Sequence, residues 1–288
     1  MIIDFHTHVF PDRIAPAAVE KLQAASHTLP FTDATVGQLA ASMKEAGVDY
    51  SVTLPVATSP RQVPRINDGA EQALARRKET GVIPFGCMHP DAENWEAEME
   101  RIARMGLPGI KVHPPYQGAD IDDPRFVRIL KKGGELHLIV VTHAGLDVGL
   151  PGNRHATPEK IRRARDKAPD AALVLAHMGG WRCWEEAEKL LAGTGVYLDT
   201  SFSLGSMTPN GDGFYRSEKE LAMLDDAGFI HLVHAFGAHH VLFGTDSPWR
   251  GQRASLQAIR ALPLTMEEKD AILGLNAAQL FMLNSCDS

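Results

Sequence analysis

The chain is poor in cysteine, and its three residues, Cys87, Cys183 and Cys286, are odd in number and far apart. Such a set builds no disulfide framework and points to a reducing compartment, so a cytoplasmic protein is expected. No apolar run approaches the roughly 18 residues that would suggest a membrane helix. Met1 leads straight into Ile2-Ile3-Asp4-Phe5-His6, without a basic start or an apolar h-region, and no signal peptide is expected. Basic residues are scattered, with Arg162, Arg163 and Arg165 as the one short run, and the formal net charge is -7. A nucleic-acid surface is therefore not expected. There is no GxGxxG after the first apolar run and no P-loop, which removes support for a nucleotide-binding sheet. No linker, low-complexity tract or repeat splits the 288 residues, so one domain spanning 1–288 is expected.

What the chain does have is a regular alternation. Candidate strands are Ile2–Phe5, Tyr50–Val56, Val82–Met88, Gly109–His113, Leu138–His143, Ala172–His177, Val196–Asp199 and Val241–Gly244. They read as continuous apolar runs, the pattern of parallel strands buried on both faces. Segments with helical spacing lie between them, such as Val36–Glu45, Ile66–Glu79 and Ala92–Met105. Asp123-Pro124, Thr157-Pro158 and Ser217 stand where helix starts belong, and Gly47, Gly81 and Gly106 where helices end. Thr265–Leu283 reads as one or two closing helices. Eight strands alternating with helices predict an α/β fold, a parallel eight-stranded (β/α)₈ barrel. Two longer stretches, Val9–Asp33 and Ser201–Gly213, read as irregular loops extending from the C-terminal face.

The residues able to do chemistry sit at the C-terminal ends of these candidate strands: His6-Thr7-His8, Lys111-Val112-His113, His143, His177 and Asp246. In a parallel barrel those ends converge on the face that carries active sites. His6 and His8, two apart on a strand, project to one side and can chelate one ion. A carboxylate at Asp246 must be paired, metal-bound or exposed; capping the turn through Ser247-Pro248 is the alternative. Three imidazoles and a carboxylate suit zinc with an open position for water, and manganese, iron or cobalt can replace it. His177 is a candidate base or hydrogen-bond partner of a developing oxyanion. Arg61, with Arg65, follows the second strand and suits a substrate carboxylate. Tyr116, Trp181, Phe202 and Trp249 follow strand ends and are candidates for a pocket wall. His89 reads as a cap for the helix after it, and Cys87 as core.

The motifs IIDFHTH, GIKVHP, VTHAG, LAHMGG, LFGTDSPW and ILGLNAAQLF occur in the order seen in a known family. The chain resembles the amidohydrolase superfamily, within it the amidohydrolase-2 group that includes aminocarboxymuconate semialdehyde decarboxylase. The resemblance covers nearly the whole chain. It implies metal binding by His6, His8, His143 and Asp246, with Asp246 also a general base and His177 a catalytic acid/base. It leaves the metal count at one or two: Lys111 is either a carboxylated bridge between two ions or a substrate contact, and His113, two residues on, is able to replace it as a ligand. The expected activity is hydrolysis of an amide, ester or lactone carbonyl in a small-molecule substrate. Non-oxidative decarboxylation of a small aromatic or unsaturated carboxylic acid is the first alternative, and a non-catalytic ligand-binding barrel the second. A homodimer is the assembly the resemblance suggests.

Overall fold

The computed structural model describes residues 1–283. Among these residues are nine short strands, all but β3 and β4 separated by helices: β1 Ile3–Thr7, β2 Tyr50–Thr53, β3 Val82–Pro84, β4 Gly86–Cys87, β5 Gly109–Val112, β6 Ile139–Thr142, β7 Leu173–Leu175, β8 Tyr197–Asp199 and β9 Val241–Leu242. All pair in parallel, in two ladders, β1-β2-β3 and β4 through β9 in order. The ring closes between β9 and β1, where Phe5 N–H donates to the Phe243 carbonyl at 2.7 Å and Thr7 bridges Ser247.

The stretch Val82–Met88, expected as one strand, is broken at Phe85. Phe85 N–H still donates to Thr53 at 3.0 Å. Beyond it the Asn67 amide, from the helix Val63–Ala75, takes the place of a strand. Its Oδ1 accepts Cys87 N–H at 2.8 Å and its Nδ2 donates to the Cys87 carbonyl at 3.2 Å. Asn67 thus satisfies backbone groups that the widening gap between β2 and β4 leaves open. β3 and β4 fill one barrel position between them, and the architecture is the expected eight-position (β/α)₈ barrel.

Alternation along each strand explains the unbroken apolar runs. Ile139 and Val141 point into the barrel with Ile3, Phe5, Val52, Leu54 and Phe85, while Val140 points outward against the helices with Ile110, Leu173 and Val241. Both faces are buried, so neither needs polar residues. The closing helix Asn276–Leu283 seals the N-terminal end, with Phe281 against Phe5 at a ring separation of 5.5 Å. Helix ends follow their signals: Thr35 accepts Gln38 N–H, Asp123 accepts Arg125 N–H, and Gly47 closes its helix at φ 75°.

The stretch Val9–Asp33, expected as irregular, contains the helix Ala15–Ser26. Only Ala15 and Ser26 of that helix are buried, so it carries no apolar stripe from which periodicity can be read. It lies over the mouth of the barrel rather than against its outer wall, and Leu22 and Ser26 face the cavity there. Ser201–Gly213 is irregular as expected, apart from isolated bridges, including one between Thr28 and Pro209. Cys87 is buried and Cys183 half-buried, both as free thiols; Cys286 lies outside the described residues. Among the described residues no helix is long and apolar enough to cross a membrane.

Candidate active site

The strand ends bring His6, His8, Lys111, His113, His143, His177 and Asp246 to the wall of one cavity of about 190 Å³. On β1 the register against β2 shifts between Asp4 and Thr7 and interrupts the alternation after Phe5, so Thr7 bonds the Val52 carbonyl while His6 and His8 both line the cavity. Their tautomers are set by what lies behind them. His6 Nδ1 is 2.7 Å from the Asp199 carboxylate, and His8 Nδ1 is 2.8 Å from the Leu54 carbonyl. Those oxygens only accept, so each Nδ1 carries the proton and each Nε2 is left with its lone pair.

The two Nε2 atoms stand 3.1 Å apart, and Asp246 Oδ1 lies 3.4 Å from the first and 3.1 Å from the second. Three lone-pair donors with no hydrogen between them repel one another. Ligand atoms bound at roughly 2.1 Å around one tetrahedral ion lie about 3.4 Å apart, so this spacing suits a shared cation. His143 is arranged in the same sense. Its Nε2–H donates to the Leu146 carbonyl at 2.9 Å, leaving Nδ1 free. His177 Nδ1–H donates to the Ser201 carbonyl at 3.0 Å, leaving Nε2 free.

His113 has the opposite arrangement. Its Nδ1 accepts Tyr116 N–H at 3.4 Å, so its proton is on Nε2, 3.5 Å from Asp147 Oδ2. It stacks on His143 at a ring separation of 4.5 Å. Lys111 Nζ is buried, 3.5 Å from His6 Nε2.

Backbone geometry at the two ends is unusual. Asp246 has φ 66° and His177 φ 59°, the left-handed region that side chains rarely occupy. Asp246 is held there by its N–H on the His6 carbonyl at 2.8 Å and by Trp249 N–H on its own carbonyl at 2.8 Å. Such strain is sustained where surrounding bonds over-determine the conformation, and it commonly marks functional positions.

Burial governs the electrostatics. It lowers His143 and His177 to about 4, and His6 and His113 well below their ordinary value, so all four are neutral near pH 7. Neutral imidazole is the form that binds a metal. Burial also lowers Lys111 to about 8 and raises Asp147 to about 6. At Asp246 burial pushes upward, but in acid, where the imidazoles around it take protons, the bond from His8 and the charges of His6 and His177 outweigh it and lower the group to about 2, so it is ionised near pH 7.

The family model described as Amidohydrolase matches residues 3–283. The chain belongs to the amidohydrolase family. No curated protein matches it in sequence. Solved structures share its fold. An uncharacterized TIM-barrel protein from Bordetella bronchiseptica is 19% identical with a TM-score of 0.74, over 98% of this chain and 99% of that one. A dihydroxybenzoic acid decarboxylase from Polaromonas sp. JS666, with bound manganese and an inhibitor, is 16% identical at a TM-score of 0.68, over 99% and 98%. A probable 2-pyrone-4,6-dicarboxylic acid hydrolase from Acinetobacter baumannii is 15% identical at 0.63, over 97% and 98%.

Among the described residues two groups have the spacing of metal ligands, His6 with His8 and Asp246, and His113 with His143 and Asp147. The first fits a cation on both spacing and tautomer. The second fits on spacing alone, because the imidazole nitrogens nearest Asp147 carry hydrogens. His143 belongs to the second group, and its ring is 4.9 Å from His177, which stands between the groups at 5.4 Å from His6.

Tyr116, Trp181, Phe202 and Trp249 line the cavity. Arg61 is not among the lining residues. It is exposed on the short turn Pro60–Gln62, whose capping box through Ser59 and Gln62 holds it at the rim, and Arg65 is exposed as well. His89 is buried and accepts Asp91 N–H at 3.1 Å, within a turn before the next helix. Sequence reasoning missed Asp199, Ser201 and Asp147. Asp199 ends an apolar strand just as Asp246 does, and that signal was available. Asp147 follows VTHAGL in a turn and carries no such mark.

Proposed function

We propose that this amidohydrolase hydrolyses an amide, ester or lactone carbonyl in a small, uncharged substrate. It would use one divalent cation, zinc in the first place, held by His6 Nε2, His8 Nε2, His143 Nδ1 and Asp246. The observation that carries the reading is the approach of His6 Nε2, His8 Nε2 and Asp246 Oδ1 to within 3.1–3.4 Å of one another, with His143 on the same wall, in a cavity that, among the described residues, no arginine lines. When bound, the cation lowers the pKa of water and polarises a carbonyl. Asp246, ionised against its neighbouring histidines, takes the proton of the attacking water and returns it to the leaving group. His177, with its proton on Nδ1, serves as a second acceptor through Nε2 rather than as an oxyanion donor. Lys111 is the cationic side chain on the wall and faces the negative charge that develops on the carbonyl oxygen. Phe10, Leu22, Leu146, Trp181 and Phe202 keep bulk water from the reacting groups.

The same Lys111 supports a second reading, decarboxylation of a small aromatic or unsaturated acid, since an ammonium group can hold a carboxylate. Initial rates on 3,4-dihydrocoumarin, aryl acetates, anilides and hydroxybenzoates, with zinc- and manganese-loaded protein, separate the two. Cation-dependent turnover of an ester, lactone or amide is expected. Release of CO₂ from a hydroxybenzoate without any carbonyl hydrolysis would reverse the assignment.

A further inference from the structure

Asp147 and His113 face the cavity without a role in the chemistry above. Asp147 Oδ1 accepts Gly149 N–H at 2.8 Å, which fixes the carboxylate and leaves Oδ2 toward the imidazoles. The nearest of these, His113 Nε2 and His143 Nε2, stand 3.5 and 3.8 Å from Oδ2, beyond the usual hydrogen-bond length. Both side chains are nine-tenths or more buried, His113 at 8% exposed and Asp147 at 9%. His113 Nε2–H and Asp147 Oδ2 thus face the cavity as a donor and an acceptor too far apart for a well-formed bond, each with capacity for a third group.

A cation is the wrong complement. His143 Nε2–H is committed to the Leu146 carbonyl, and His113 carries its hydrogen on Nε2 because Nδ1 accepts from Tyr116. Neither nitrogen that faces Asp147 has a lone pair to offer. An anion is also wrong, because Asp147 would repel it. The complement is a neutral group that both donates and accepts, and the smallest that a substrate carries is the hydroxyl.

We infer that His113 and Asp147 form a recognition pair for a hydroxyl group on the substrate. The hydroxyl donates to Asp147 Oδ2 and accepts from His113 Nε2–H. The pair lies two imidazole rings, His177 and His143, away from His6. Leu146, Val148 and Tyr116 surround it, so the hydroxyl sits on an apolar or aromatic body at a distance from the carbonyl under attack. The substrate class is then a hydroxylated ester, lactone or amide. The inference rests on this cavity being the substrate site and does not require turnover of any one substrate.

Binding is tested with benzyl alcohol and benzyl methyl ether, by ligand-observed NMR titration of zinc-loaded protein. Wild type is expected to bind the alcohol roughly tenfold more tightly than the ether, the increment of one hydrogen bond to a charged group. Asp147→Asn and His113→Phe should each erase most of that preference while keeping the wild-type zinc content, and either variant suffices if the other does not fold. Equal binding of the two probes by wild type overturns the pair, as does a preference that survives in the variants. Loss of a zinc equivalent in either variant also overturns it, in favour of a second cation site. Because no turnover is read, failure of the hydrolase reading leaves this result distinct.

Discussion

His6 Nδ1–H donates to Asp199 Oδ2 at 2.7 Å, and the other oxygen of the same carboxylate accepts the backbone N–H of His177 at 3.1 Å. One buried side chain on β8 therefore orients a candidate metal ligand from β1 and the candidate base from the end of β7. Ser201, whose hydroxyl donates to Asp199 and lies 3.0 Å from both His6 Nδ1 and His177 Nδ1, ties the two together.

Asp199→Asn removes the negative acceptor that fixes the His6 tautomer. Such outer partners of a ligating histidine typically contribute 10- to 100-fold in metal affinity. Competition with a fluorescent zinc chelator is expected to show a loss in that range with the secondary structure intact. Unchanged affinity would mean that the His6 ring is held by packing alone.

Gly244 leaves no room for a side chain. A Cβ there would meet His6 Cβ at 2.9 Å and Asp199 Cβ at 3.4 Å. Gly244→Ala must push one of the two aside, at a cost of roughly 1–3 kcal/mol. Denaturant titration is expected to show that loss, and chelator competition a weaker metal site. A variant as stable as wild type with full affinity would show that the barrel mouth relaxes freely.

His177→Gln keeps a polar side chain but loses the imidazole lone pair. If His177 acts as a proton acceptor, kcat on any substrate the protein turns over falls by about 10²–10⁴, with metal content unchanged. A rise in KM alone, or loss of the metal, assigns His177 to binding instead.

Lys111 gives a pH signature in metal-free protein. Burial lowers it from 10.5 to about 8. Between those values the unfolded chain holds a proton that the folded chain does not, so stability rises with pH across that window. Below about pH 8 the cost of burying the charge is present in full. The gap corresponds to roughly 3 kcal/mol. Denaturant titrations at pH 8 and pH 10 should show part of this rise in wild type relative to Lys111→Met. An identical pH dependence in the two proteins would contradict the assignment.

The His6, His8, His143, His177 and Asp246 set was legible in the sequence because each closes an apolar run, and a parallel barrel leaves one place for such ends to meet. The tautomers were not. They depend on Asp199, on the carbonyls of Leu54, Leu146 and Ser201, and on Tyr116 N–H, which reach the rings only through the fold. The break at Phe85 was hidden because its cause, Asn67, lies on a helix rather than in the strand. The helix Ala15–Ser26 was hidden because it roofs a cavity and presents no buried stripe. Arg61 was a candidate by charge and position, and the capping box of its turn placed it outside the cavity.

The central claim is that His6, His8, His143 and Asp246 hold a divalent cation. Elemental analysis of protein purified without chelator, for wild type and the double variant His6→Ala/His8→Ala, tests it most directly. About one zinc or manganese per chain in wild type, lost in the variant, is the predicted result. A wild-type protein that holds no metal even after incubation with zinc or manganese would contradict the account.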